Sequence, residues 1–275
     1  MVSRLTAGGS LLAATVAFLA LTAVASAALI SGNRGNERLV GTNGPDTILG
    51  RGGKDRILAL GGDDTVRAAR GSDRAWGHAG NDQLHGGPGR DGLFGGSDND
   101  TEWGGFGHDR VFGGPGNDQL SGGPGRDRMH GGLGDDRSNG DFGPDRMSGG
   151  PGNDQSFGGP GNDTVFANQG VDESFGGPGA DTLWALARTD VPLPGVDTLH
   201  GELGNDKFRT RDGEPDVIDC GPGRDKAFLD LVDVIVDATP QNPQGSCEIV
   251  KRAEPKPDED RKEKRDESEK NDKEG

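Results

Sequence analysis

From Asp46 to Asp181 every ninth residue is aspartate, through sixteen consecutive copies: Asp46, Asp55, Asp64, Asp73, Asp82, Asp91, Asp100, Asp109, Asp118, Asp127, Asp136, Asp145, Asp154, Asp163, Asp172 and Asp181. A strict period this short calls for stacked repeats instead of one central core. Two residues before each aspartate stands a glycine, save where Asp98 precedes Asp100. Two physical causes could hold such a column. Tight turns favour Asp and Gly, because Asp bonds its own backbone and Gly reaches positive φ. On that account Asn should serve about as well. The sequence tests this internally: the residue just before the column accepts Asn81, Asn99, Asn117, Asn153 and Asn162, alongside Arg, Pro, Lys, His and Ser, whereas the column accepts Asn in none of its sixteen copies. The column needs a negative charge as well as a hydrogen-bonding shape.

If each nonamer is a turn plus a short strand, two nonamers make one coil and residues eighteen apart stack. Asp46, Asp64 and Asp82 then begin one edge, and Asp55, Asp73 and Asp91 the other. Stacked strands lie about 4.8 Å apart, and like charges held opposite one another are destabilising. Such ladders need cations between their rungs. Carboxylates and carbonyls suit Ca2+, which takes six to eight oxygens at roughly 2.3–2.6 Å; Mg2+ wants a stricter octahedron. Zinc would want His or Cys, of which there are only 5 and 2. The expectation is a set of Ca2+ ions held by the whole column. After a break in phase the pattern resumes at Asp197 and Asp206, and less regularly at Asp216 and Asp225, as further candidate ligands.

The nonamer is clearest in Gly113-Gly114-Pro115-Gly116-Asn117-Asp118-Gln119-Leu120-Ser121 and in Gly122-Gly123-Pro124-Gly125-Arg126-Asp127-Arg128-Met129-His130. It resembles the G-G-x-G-x-D-x-U-x repeat of RTX, or haemolysin-type calcium-binding, proteins, over roughly residues 41–228. The resemblance implies an all-β fold, a right-handed parallel β-roll stapled by calcium, with the first six residues of each nonamer as turn and the last three as strand. It also implies ions between successive turns on one edge, held by the Asp carboxylates and by turn carbonyls. Gly113, Gly114, Gly116, Gly122, Gly123 and Gly125 would let the backbone approach them. Ala59-Leu60, Ala68-Ala69, Gly77-His78, Gly140-Asp141 and Ala167-Asn168 replace the Gly-Gly pair, so weaker geometry is expected there, and Asp98 marks a local distortion.

Composition agrees with a repeat stapled by metal. Only 29% of residues are hydrophobic. One apolar residue per nonamer is expected inward: Ile48, Ile57, Val66, Leu84, Leu93, Val111, Leu120, Met129, Met147, Val165 and Leu183. It gives way to Ala75, Glu102, Ser138, Ser156 and Ser174. With so thin a core and a formal charge of −16, the metal-free chain should stay expanded and draw most of its folding free energy from bound ions.

Residues 1–27 read as a secretory signal: Arg4, an apolar stretch from Leu11 to Val24, then Ala25-Ser26-Ala27 as a small-residue cleavage site. The apolar run is short for a membrane span, so export to the medium or cell surface is expected. A lead-in over 28–40 precedes the sixteen nonamers of 41–184, an insertion loop over 185–196, and irregular repeats over 197–228. In an oxidising compartment the only cysteines, Cys220 and Cys247, pair as one disulfide, closing a small C-terminal cap over 210–251. Residues 252–275 are a disordered, mixed-charge tail.

Outward positions also form columns: Arg56, Arg74, Arg110, Arg128 and Arg146, with Trp76, Phe94 and Phe112, later Phe166 and Trp184, beside them. Trp103, Phe157 and Phe175 share a column on the other face. These offer either a stripe for cell-surface polymers or simple pairing across strands; pairing is the favoured reading. H-E-x-x-H and G-x-S-x-G are both missing from the sequence, and the five His residues stand beside no candidate nucleophile. The acidic balance disfavours nucleic acid. The expectation is a non-catalytic, exported calcium-binding β-roll with a structural or surface-binding role; the alternative is a secreted hydrolase or lytic factor.

Overall fold

The computed structural model of the chain describes residues 26–185, 195–239, 242 and 244–254. The expected signal segment lies almost wholly outside them, as do most of the insertion loop and of the charged tail. Among the described residues, short strands and no helix build two parallel sheets of 12 strands each. Consecutive strands go to opposite sheets: Thr47–Leu49 to one, Arg56–Gly61 to the other, Thr65–Arg67 back to the first. The eighteen-residue register expected from the column holds strand after strand, with Thr47 beside Thr65, Thr65 beside Gln83 and Gln83 beside Thr101. The chain is an all-β parallel solenoid.

Stacking starts ahead of the aspartate column and outlasts it. Within 28–40, Leu29–Ser31 and Arg38–Val40 already pair with the coil that follows. Past the insertion, Glu173 pairs with Thr198 and Thr182 with Lys207, so the extra residues leave the sheets unbroken. At the far end Val234–Ile235 and Ile249–Arg252 are the last rungs of the two sheets. The disulfide Cys220–Cys247 ties this end together.

Alternation along each short strand sends its central residue inward. Every apolar residue expected inside is buried, and so are Ala75, Glu102, Ser138, Ser156 and Ser174. The apolar interior divides into a cluster from Leu39 to Val165 and another from Ala167 to Cys247. The serines 138, 156 and 174 are successive rungs of one sheet. One residue per half-coil is a small hydrophobic contribution, so the turns have to carry much of the architecture.

Those turns demand a left-handed residue at the second position of the nonamer. Gly114 supplies it at φ 125°, while Leu60, Ala69, His78 and Asp141 adopt φ of 87°, 79°, 79° and 68° in the same place. These four irregular turns therefore keep the common backbone path and bear the Cβ strain, about 1–2 kcal/mol for an ordinary residue. His78 is exposed and gives up little packing on truncation. His78→Gly should stabilise the folded chain by about 1 kcal/mol, read as a higher thermal midpoint by circular dichroism; a lower midpoint would show the turn unstrained.

Candidate metal centre: the two aspartate columns

Each column aspartate leaves the turn just before a strand, where its backbone amide faces the next coil with no strand carbonyl in reach. The carboxylate of the next coil supplies the acceptor. Asp46 N–H donates to Asp64 Oδ1, Asp64 N–H to Asp82 Oδ1, Asp118 N–H to Asp136 Oδ1, and so on along both edges up to Asp206, at 2.6–2.9 Å. All eighteen expected aspartates, Asp46 through Asp206, are buried and belong to these two ladders. Oδ1 is thus the turn-chemistry half of the column, and an Asn oxygen could replace it.

Oδ2 is different. In Asp55, Asp64, Asp73, Asp82, Asp91, Asp100, Asp109, Asp118, Asp127, Asp136, Asp145, Asp154, Asp163, Asp181 and Asp206 it is buried without a hydrogen-bond partner, as it is in Asp216 and Asp225. Its surroundings are acceptors. A Cβ built on Gly122 would stand 2.8 Å from Asp127 Oδ2 and 3.0 Å from the carbonyl oxygen of Gly140; on Gly176, 2.7 Å from Asp181 Oδ2 and 3.0 Å from Gly201 O. Gly113 lies in the same way against Asp118 Oδ2 and Gly131 O. A Cβ on Gly114 or Gly123 would strike the carbonyl of Gly96 or Gly105, and one on Gly116 or Gly125 that of Asp98 or Gly107. Asn would put a donor among these oxygens, whereas Asp adds one more acceptor.

Such an oxygen cage fits calcium. Among the described residues no three Asp, Glu, His or Cys side chains converge on one point, so a cation here would take few carboxylates and complete its shell from turn carbonyls, as Ca2+ does. Three column members, Asp46, Asp172 and Asp197, are not among those with an unpartnered Oδ2, and a local amide explains two of them. The amide of Thr42 donates to Asp46 Oδ2, and that of Asn168 to Asp172 Oδ2. Thr42 and Asn168 occupy the second turn position without a positive φ, and their N–H groups turn inward to close the cage. Among the irregular turns foreseen, Ala167-Asn168 is the one whose geometry departs; Asp64, Asp73, Asp82 and Asp145 keep an open Oδ2.

Glu37, Asp233 and Glu248 extend the columns and escaped the period. Glu37 N–H donates to Asp55 Oδ1, while Asp233 Oδ1 and Glu248 Oε2 accept from Asp216 and Asp225. A second, exposed ladder stands one residue earlier. Asn117 N–H donates to Asn99 Oδ1, Asp135 N–H to Asn117 Oδ1 and Asn153 N–H to Asp135 Oδ1, with the opposite polarity to the aspartate column. Its sequence signal was Asn recurring every eighteen residues on one edge. The outer rows pair as favoured: Trp76, Phe94 and Phe112 stack at 5.2 Å, Phe157 on Phe175 at 4.9 Å, and Arg56, Arg137 and Arg146 lie over Trp76, Phe157 and Phe166.

Burial raises the column carboxyls. Asp82, Asp91, Asp127, Asp136 and Asp181 are pushed up to about 7, and Asp100, Asp145 and Asp154 to about 8. The amide donated by the preceding rung opposes this rise, and neighbouring carboxylates add to it.

The fold and the acidic cages point to a calcium-binding type of β-solenoid, and comparison with known families gives the same class. A family model described as the RTX calcium-binding nonapeptide repeat (4 copies) matches residues 31–66, 68–102, 103–138, 131–165, 148–183 and 193–226. The chain belongs to that family. A search of curated proteins finds no match.

The carboxyl shifts set a sign for the metal-free chain. Groups raised from 3.8 toward 7–8 in the fold stabilise it below the unfolded value, and that stability is lost as pH climbs through the raised values. In chelator, the strand signal in circular dichroism should fall between about pH 4 and about pH 8. A strand signal that instead grows over this range would contradict the cage description.

Proposed function

We propose that this chain is an exported, non-catalytic calcium-binding β-roll that folds on extracellular Ca2+ and acts as a structural element. The observation that carries the reading is the buried Oδ2 left without a donor in turn after turn. The ligands would be the column carboxylates together with turn carbonyls such as Gly131 O and Gly140 O. When bound, the ion supplies the positive charge that an all-acceptor cage lacks. Asp Oδ1 keeps the coils in register by accepting a hydrogen bond from the backbone amide of the preceding coil, and the Gly-Gly pair keeps side chains out of the cage.

Export is supported by Arg4, the Leu11–Val24 stretch and Ala25-Ser26-Ala27, and by a disulfide suited to an oxidising compartment. No helix among the described residues is long and apolar enough to cross a membrane. A structural role is favoured over surface-polymer binding because the aromatic rings are engaged by each other and by arginines. Extracellular calcium modules bind at about 10⁻⁴–10⁻³ M, a range that would fold the chain outside the cell and leave it extended inside.

Circular dichroism of residues 28–275, titrated with calcium and then chelator, should show strand structure gained and lost with the ion. Asp118→Asn and Asp127→Asn should bind fewer ions and need a calcium midpoint raised roughly tenfold. A chain equally folded in chelator at neutral pH, or variants with unchanged stoichiometry, would refute the reading.

A further inference from the structure

Glu102 is a buried acid outside both columns. It is the central residue of its strand, in register with Leu84 on one side and Leu120 on the other. That position is otherwise held by an apolar or small residue along the sheet. Glu102 is fully buried, and neither carboxylate oxygen has a hydrogen-bond partner. A Cβ on Gly95 would collide with both Glu102 Oε1 and Asp100 Oδ2, so the buried Glu102 carboxylate lies beside the cage of Asp100. At the equivalent cages of Gly86, Gly104 and Gly122 the oxygen beside the aspartate is a backbone carbonyl. Here a second carboxylate is among the nearest atoms instead.

We propose that Glu102 is a cation ligand, and that the cage it shares with Asp100 is the tightest divalent-cation site of the solenoid. The inference rests on the calcium reading of the columns and adds to it a ligand from a position the repeat assigns to the core. Two carboxylates brought together away from water, with no donor between them, are strongly unfavourable alone. Leucine would fit the position, since Leu84 and Leu120 occupy it on both sides. Calcium affinity rises with the number of charged ligands and with the rigidity of the site. Glu102 supplies the charge, and its place in the core supplies the rigidity. Solenoid folding can start at any repeat and spread to its neighbours, so this cage is the point from which calcium-driven ordering begins.

The test uses the full chain, terbium(III) as a luminescent substitute for calcium, and excitation of tryptophan; Trp103 is the residue next to Glu102. Two variants separate ligand from core roles. Glu102→Gln keeps the shape and removes the charge, and Glu102→Leu continues the leucine row. In the unaltered chain, a first luminescence transition should appear at the lowest terbium concentration. Both variants should move it upward by about tenfold or more and bind about one ion fewer in the tight class, with unchanged circular dichroism at saturating calcium. If both variants keep the early transition and the ion count, with Glu102→Leu merely melting higher, Glu102 is a protonated core residue and the proposal is overturned. If the unaltered chain binds neither calcium nor terbium, the calcium reading itself falls, and this inference with it.

Discussion

Each turn of the solenoid uses the two oxygens of one carboxylate in opposite ways. Oδ1 accepts the amide of the preceding coil and completes the ladder where strand carbonyls have run out. Oδ2, fixed by that bond, is held among backbone carbonyls with no donor in reach. A buried acceptor facing acceptors is costly unless a proton or a cation joins it. The same hydrogen bond that sets the register thus creates the need for a proton or a cation at Oδ2, and the two cannot be separated by moving the side chain. The rest of the architecture follows from this coupling.

The interior could not compensate for that cost. It contributes one central residue per strand, and three successive rungs of one sheet place serine there. Stacked rings and arginine–aromatic contacts outside add about 0.5–1.5 kcal/mol per pair, spread along the roll. Asp46 and Asp172 show the alternative to an ion. There a local amide, from Thr42 or Asn168, satisfies Oδ2, and the chain closes its own cage. Asp46 begins the regular run and Asp172 precedes the insertion, while open cages continue beyond it at Asp181, Asp206, Asp216 and Asp225.

Much of this was legible in the sequence because the period is strict. A nine-residue repeat with strand geometry leaves little choice but two nonamers per coil, and the pairing of Thr47 with Thr65 and Gln83 follows. The refusal of Asn at the column identified the charge requirement before any geometry was known. The division of labour between Oδ1 and Oδ2 was not legible, since it depends on which atom meets the next coil. Nor was the behaviour of substituted turns: Leu60 and His78 accept left-handed backbone, while Asn168 does not, and the path of the neighbouring coils decides between them. Glu248 escaped a search for aspartate because a longer side chain does the same work at the end of the column, and Glu37 because only its backbone amide joins the ladder. Glu102 read as a gap in the core; only its place beside Gly95 and Asp100 ties it to the edge.

The central claim, that the unpartnered Oδ2 atoms face cations, is tested most directly by counting ions. The chain, dialysed against millimolar calcium and analysed by atomic emission, should hold many ions per molecule, approaching one for each open cage and not one for each aspartate. Asp46 and Asp172 would add none. A ratio near zero or one, with the solenoid intact, would contradict the account.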